Sequence, residues 1–465
     1  MRSPSHDWRH DPRLPAGLAV LLVGLVFALG HDAPLVEDGL FWWVPKGLLA
    51  AERGPALTYA GALPDVMAQG LTTASTPPQW ADGLPDYAHP PLYYWWLGGA
   101  LKLFGPTLLA VRLACLPLGI AAALGMVALA HRLGNAWAGV IPWALPPLLA
   151  QLLRPELDLA LLAAIPWALL ALVNRHWTVF AVLSALATAS KEPGVLLVVP
   201  AVVVCVQDRQ VRVAALTPLL TLGAWGLAHG GLASAERLPS SFQDWLMQDV
   251  PAALSLVFVH QWRWLLVVGI GALGLRLRRP VLLPVVALLV AWVLFFSAVG
   301  FRLQPHNPDP LTHVRYFGPA LMCLAILGGL RWPWLALAGL LSVHARSPFG
   351  PEASLHGIHA ARAEAAAAPW IHEQAQQGAR VWVGAYQGAA LGQPWAGQAD
   401  PPLKGLLLYH PLASQDDLEI GDVVIVAAEG EPTGAFLRGV GLDGLRAWTA
   451  HDAVVSAHRV VSRPE

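Results

Sequence analysis

Apolar residues run in long stretches separated by short polar links, near 15–31, 108–130, 136–152, 158–173, 177–190, 193–206, 213–229, 262–275, 281–300, 316–330 and 332–345. A bilayer core is crossed by about 20 mostly apolar residues, or roughly 17 to 25. Several runs are shorter than that, so flanking aromatics must complete them. The pattern predicts a polytopic all-α membrane protein with about 11 transmembrane helices. One further segment, Pro90 to Phe104, begins with His89-Pro90-Pro91 and carries Lys102, and it reads as a helix lying in the membrane interface. Beyond Pro351 the pattern becomes mixed and soluble-like. His356 to Gly378 is Ala-rich and helical, while Arg380 to Val383, Asp422 to Val426 and Ala453 to Val461 read as strands. The chain therefore divides into a transmembrane domain over 1–350 and a small C-terminal α/β domain over 351–465.

Loop charges orient this arrangement. Arg2, Arg9 and Arg13 precede the first apolar run, and Ala28-Leu29-Gly30 would pass as a signal-peptide cleavage site. With the run kept as a first span and Pro90–Phe104 kept out of the membrane, Arg132, Arg209, Arg212, Arg276, Arg278 and Arg279 all fall on the side of the N-terminus. The positive-inside rule makes that side cytoplasmic. The loop 32–107, the links 153–157 and Lys191-Glu192, the loops 230–261 and 301–315 and the C-terminal domain then lie extracytoplasmically.

Composition agrees and excludes other classes. Of the 465 residues, 56% are hydrophobic and 13% charged, half the charge of an ordinary soluble domain. The mean hydropathy of +0.52 is too high for one signal peptide to produce. A net charge of −1 argues against tracking of nucleic-acid phosphates. Cys115, Cys205 and Cys323 all sit in apolar runs and form no disulfide framework. Many of the 21 Trp lie where apolar runs meet polar loops, as an interfacial belt requires. No phosphate loop, dinucleotide fingerprint or serine elbow is present. The absence of a duplicated half counts mildly against a transporter built from repeats.

Charges near membrane depth cost about 2.5 kcal/mol or more each, so polar clusters there mark function by default. Five clusters fall in the extracytoplasmic segments. Glu37-Asp38 follows the first span; adjacent carboxylates suit a general base or a cation ligand, and equally the N-terminal capping of the amphipathic helix Phe41–Ala51. Asp86 and His89 precede Pro90-Pro91-Leu92-Tyr93-Tyr94-Trp95-Trp96, where two prolines opening a helix are a sufficient structural reason. Arg154-Pro155-Glu156-Leu157-Asp158 reads as a solvated turn or as a polar lining. Lys191 and Glu192, in Ser190-Lys191-Glu192-Pro193-Gly194, could pair with each other, or the lysine could meet a lipid phosphate. Arg315-Tyr316 enters the tenth span, and an arginine fork matches phosphate oxygens. The pairs His306/His313 and His356/His359 lack a metal-ligand count.

Taken in this order, the five clusters resemble those of the membrane glycosyltransferases of GT-C fold, in the bacterial branch near protein O-mannosyltransferases and aminoarabinose transferases. The resemblance covers roughly residues 15–330. Its most specific piece is His89-Pro90-Pro91-Leu92-Tyr93-Tyr94-Trp95, followed by Leu103-Phe104-Gly105 and Arg112-Leu113. It implies transfer of a sugar, with inversion, from a polyprenyl-phosphate-linked donor in the outer leaflet of the bacterial inner (cytoplasmic) membrane. The acceptor hydroxyl would belong to a lipid, glycan or protein. Glu37 or Asp38 would be the base; the family commonly has Asp before Glu, the reverse of this chain. Lys191, Arg315, Tyr316 and His89 would hold the donor phosphate, with Asp86, Glu156, Asp158 and Glu192 as cavity acids. No cofactor is implied with certainty, and a divalent cation on the carboxylates stays an open option. Two other readings remain: a lipid or polymer transporter or flippase, and a non-catalytic scaffold of the same fold. A transporter should place its charges near the bilayer midplane in broken helices, whereas here they gather at span ends.

Overall fold

The computed structural model describes residues 11–35, 43–57, 59, 89–153, 155–205, 211–229, 243, 246–247, 280–303, 318–331, 333–334, 337, 351–384, 391–392, 396–397, 399, 403, 406–409, 417–427, 437–450 and 453–463. The helices are α1 (Arg13–Gly30), α2 (Val44–Arg53), α3 (Leu92–Phe104), α4 (Leu108–Leu133), α5 (Pro146–Leu153), α6 (Leu157–Val173), α7 (Trp177–Ser190), α8 (Val198–Cys205), α9 (Val211–His229), α10 (Leu283–Leu303), α11 (Gly318–Gly329) and α12 (Pro351–Gln376). Among the described residues, α1, α4 and α9 are long and apolar enough to cross a membrane. Shorter apolar helices occupy 157–173, 177–190, 192–205, 280–296 and 318–329, where the sequence pattern places further spans.

The bundle's exterior is what a lipid-facing surface requires. On α1, Ala19, Val23 and Phe27 are buried, whereas Leu14, Leu21, Leu25 and Leu29 face outwards. Val213 and Leu227 of α9 are 79% and 87% exposed. In water such a surface would be an aggregation site; in hydrocarbon it costs nothing. The first apolar run thus packs into the bundle core, against α4 and α5.

The run 136–152 does not form the single helix that its hydropathy suggests. It folds as two 3-10 turns, Ala136–Gly139 and Ile141–Ala144, followed by the eight-residue α5. The Asn135 side chain caps the first turn by accepting from the Trp137 N–H. Pro142, Pro146 and Pro147 lack the N–H groups that a continuous helical ladder needs. Apolar length predicts burial here; proline placement decides the local geometry.

A second apolar cluster caps one end of the bundle. It joins Leu35, Trp43, Val44 and Leu49 to Tyr94, Leu97 and Leu101 of α3, Val111 of α4 and Leu157 of α6. The predicted interfacial segment is the 13-residue helix α3. Helices α2 and α3 approach closely because Gly98 faces Gly47: a Cβ on Gly98 would lie 2.8 Å from the Gly47 carbonyl oxygen and 2.9 Å from the Ala51 nitrogen.

The C-terminal unit packs α12 on a five-stranded sheet of order β2-β1-β3-β5-β4, from β1 (Val381–Gly384), β2 (Leu407–Tyr409), β3 (Val423–Ala427), β4 (Gly441–Ala450) and β5 (Ala453–Ser462). β1 is parallel to β2 and β3, and β5 is antiparallel to β3 and β4. Ala363, Ala367 and Ile371 of α12 meet Val381, Val383, Val423 and Ile425 in its core. The three strands read from sequence are β1, β3 and β5. β2 is too short to announce itself, and β4, with Gly441, Asp443 and Gly444, lacks clean alternation.

Because backbone atoms border Gly98, Gly98→Val cannot be absorbed by a rotamer change. It is expected to destabilise the protein by about 1–3 kcal/mol, read as a lowered melting temperature in detergent, while Gly99→Val, with nothing within 4 Å of its Cβ, leaves it unchanged.

Candidate active site

The polar clusters assemble at the end of the bundle capped by α2 and α3. His89 stands immediately before the Pro90-Pro91 start of α3. Lys191 and Glu192 stand between α7 and a 3-10 turn, Glu192–Leu197, that leads into α8. Glu156 is the residue before α6 and Asp158 lies in its first turn. Three separate stretches of sequence therefore contribute ionisable groups to one neighbourhood.

An ion pair and a histidine–carboxylate hydrogen bond bind these stretches together. Lys191 Nζ lies 2.7 Å from Asp158 Oδ1, and both side chains are almost fully buried. His89 Nδ1–H donates to Glu192, at 2.7 Å from Oε2 and 2.9 Å from Oε1. Lys191 and Glu192 do not satisfy one another, one of the options the sequence left open; Lys191 reaches α6, and Glu192 reaches the residue that precedes the Pro-Pro start of α3. Burial pushes the Glu192 carboxyl up, but His89, the turn's own N–H and Lys191 outweigh it, and the carboxyl titrates below its ordinary value. An ionised Glu192 fixes His89 with Nδ1 as its donor, which leaves Nε2 as the ring nitrogen for any ligand.

The turn that carries the two charges is pressed against α7. A Cβ on Gly194 would lie 2.5 Å from the Ala187 carbonyl carbon and 2.5 Å from the Thr188 nitrogen. The Lys-Glu-Pro-Gly sequence thus has a division of labour. Pro193 occupies a first-turn position where a missing N–H costs little, and Gly194 lets the turn lie close enough for Lys191 to reach Asp158.

Aromatic side chains wall the site. The Trp43 ring lies 5.2 Å from His89 and stacks on Tyr94 at 6.1 Å. Tyr59 meets Tyr94 edge-on, also at 6.1 Å. Lys46 of α2, only 4% exposed, places its ammonium 5.5 Å from the Tyr94 ring centroid. Tyr93 is buried, and burial with Cys115 and Glu156 nearby pushes its phenol well up, so it stays protonated and neutral. The sequence marks none of Lys46, Trp43 and Tyr59 as a site residue, and Tyr94 enters there only as part of the Pro-Pro-Leu-Tyr-Tyr-Trp stretch. For Lys46 a signal existed: Leu49 and Ala50 at i+3 and i+4 put it on the buried face of α2.

Of the sequence-predicted residues, the structure brings His89, Asp158, Lys191 and Glu192 together and buries Glu156 beside them. Glu37, Asp38, Asp86, Arg315 and Tyr316 lie outside the described residues. Among the described residues, no group of three or more His, Cys, Asp or Glu side chains is placed to hold a metal ion.

Comparison with known proteins adds two findings. Residues 88–229, which span His89, α3, Glu156, Asp158 and the Lys191-Glu192 turn, match the family model of dolichyl-phosphate-mannose-protein mannosyltransferases. The crystal structure of ArnT from Cupriavidus metallidurans in the apo state is similar with a TM-score of 0.52 at 15% identity, covering 95% of this chain and 98% of that one. The structure of the same protein bound to undecaprenyl phosphate is similar with a TM-score of 0.50 at 13% identity, with the same coverage. No curated protein sequence matches the chain.

Removing one member of a buried ion pair strands the other, at a cost of about 3–5 kcal/mol. Asp158→Ala is therefore expected to lower the melting temperature in detergent sharply. Asp158→Leu/Lys191→Met, which removes both charges, should recover much of the loss.

Proposed function

We propose that this chain is a membrane glycosyltransferase of GT-C fold that transfers a sugar from a polyprenyl-phosphate-linked donor to an acceptor hydroxyl on a lipid, glycan or protein. The observation that carries the reading is the gathering of Lys191, Asp158, His89 and Glu192 at one end of an otherwise apolar bundle, within the segment that matches the mannosyltransferase family. The similarity to a protein crystallised with undecaprenyl phosphate supports a polyprenyl-phosphate donor.

The chemistry follows from what a lipid-linked sugar needs. The bond from the anomeric carbon to the phosphate oxygen breaks as the acceptor oxygen bonds to the opposite face of that carbon, which inverts the configuration. Negative charge develops on the departing phosphate, so preorganised cations there lower the barrier. Lys191 and Arg315 serve that role, with Tyr316 and, in its doubly protonated form, the Nε2–H of His89 as hydrogen-bond donors. Asp158 and Glu192 hold Lys191 and His89 in place beforehand, so that little reorganisation is needed at the moment of transfer. The acceptor proton passes to Glu37 or Asp38 in the first large loop. Because the leaving group is already a phosphate, no nucleotide site is required.

The loop charges support a reading in which this end of the bundle faces the extracytoplasmic side of the bacterial cytoplasmic membrane, with the N-terminus inside and the C-terminal domain outside. Glu156 and Asp86 complete the acidic lining. A divalent cation on the paired carboxylates is compatible with this scheme but not needed by it.

Sugar transfer by purified protein in detergent from a panel of polyprenyl-phosphate donors tests the proposal. Wild type should transfer or hydrolyse at least one donor. Glu37→Ala/Asp38→Ala should lose the reaction while still binding donor, and Lys191→Met should lower kcat/KM by about a hundredfold or more, the loss seen when one transition-state charge partner is removed. Donor binding and turnover absent across the panel would instead favour a transporter or a non-catalytic scaffold.

A further inference from the structure

Arg112 takes no part in the transfer scheme, yet it is a charge held far from water. It lies one turn into α4 and is 1% exposed. Such a charge in a membrane bundle marks function unless structure alone demands it. Its guanidinium donates to two main-chain carbonyls, from Nη1 to Leu153 and from Nη2 to Ala33. Leu153 is the last residue of α5, and Ala33 stands just past the end of α1. Carbonyls at helix ends lack intrahelical partners and carry partial negative charge, so a cation suits both. A planar fork of N–H groups spans two such oxygens, whereas a lysine ammonium offers a single point charge.

The two bonds differ in consequence. The stretch around Ala33 is held a second time, because the Leu35 N–H donates to the Ala396 carbonyl at 2.8 Å. The Leu153 side chain is fixed as well. It packs with Ala33 and Ala361 and presses on Gly30, where a Cβ would lie 2.6 Å from its Cδ2. That packing sets where α5 ends. The direction in which the chain then leaves depends on the plane of the peptide that follows Leu153, and Arg112 holds the oxygen of that peptide. Three residues later comes Glu156, and five residues later Asp158, in the first turn of α6. Asp158 in turn holds Lys191 at 2.7 Å. We infer that Arg112 is a positioning residue of the transfer reaction: by fixing the Leu153 carbonyl it fixes the entry of α6, and through Asp158 it sets the Lys191 ammonium. The inference rests on the phosphate-binding role proposed for Lys191. A side chain needed for packing alone has a better substitute in an apolar residue of similar length. A displacement of about 1 Å at a reacting group costs about a hundredfold in rate, so a small loosening of this chain of contacts has a large kinetic effect.

Lys191 itself reports whether it is held. Paired and buried, its amine reacts slowly with an amine-reactive ester; released from Asp158, it reacts faster. Mass spectrometry separates its acylation from that of Lys102, which is exposed on α3 and serves as the internal reference. In full-length protein in detergent, Arg112→Met should speed Lys191 acylation several-fold relative to Lys102. Arg112→Lys, which keeps the charge but not the fork, should fall between Arg112→Met and wild type. The kcat/KM for sugar transfer should decline in the same order, by about a hundredfold in Arg112→Met. Added to Lys191→Met, the same substitution should cost no more than about twofold further, because the residue it acts through is gone. A role in stability alone would lower the melting temperature, leave Lys191 acylation in the folded protein at the wild-type rate, and multiply with the loss in Lys191→Met. Either of the last two results overturns the inference. If Arg112→Met shows no cooperative melting, Arg112→Lys replaces it in both measurements under the same criteria. A wild-type protein inactive with every polyprenyl-phosphate donor counts against the glycosyltransferase reading instead, and the acylation series, which needs no turnover, still decides the positioning.

Discussion

The structure turns on a buried charge pair. Lys191 and Asp158 meet at 2.7 Å with their side chains almost wholly removed from solvent, in a bundle whose outward faces on α1 and α9 are hydrocarbon-like. Each ion taken out of water costs several kcal/mol, and their attraction offsets that only with good geometry. A pair of hydrophobic residues would stabilise the bundle as well or better. The charges are therefore poorly explained by stability, and they fit the proposed site, which would present a cation to an anionic lipid at membrane depth. Several local features follow from this requirement. Gly194 brings the turn against α7, Asp158 opens α6, and Glu192 turns away from Lys191 to fix His89.

The aromatic cap answers a related constraint. A charge cluster at the membrane surface must be shielded from lipid on one side and open to substrate on another. Helices α2 and α3, in close approach at Gly47 and Gly98, supply the shield with Tyr94 of α3, joined by Trp43 just before α2 and Tyr59 beyond its end. Lys46 over the Tyr94 ring adds positive charge without exposing it. The C-terminal unit closes this cap with Ala396, which makes it part of the site's architecture and not an appendage.

Much of this was legible in the sequence because membranes impose simple rules. Length and hydropathy located α1, α4, α6, α7, α9, α10 and α11, and the short charged Pro90–Phe104 segment was separable from the spans. The five polar clusters stood out because charge is rare in such a chain. The pairing scheme was not legible. Lys191 and Glu192 are neighbours in sequence, and only the packing of α6 and α3 shows that each has a distant partner. The 136–152 run misled on geometry because hydropathy does not register what consecutive prolines do to a helical ladder. Lys46 was hidden because a lone lysine on an amphipathic helix ordinarily faces water. The Leu35–Ala396 contact joins residues more than 350 positions apart, and no local pattern announces it.

The central claim is that the charged end of the bundle receives a lipid phosphate, and a structure of the protein bound to undecaprenyl phosphate tests it most directly. The account predicts phosphate oxygens within hydrogen-bonding distance, about 2.7–3.2 Å, of Lys191 Nζ or His89 Nε2, with the Asp158 and Glu192 partnerships retained. Phosphate bound at the opposite end of the bundle, with Lys191 and His89 unchanged and remote from it, would contradict the account.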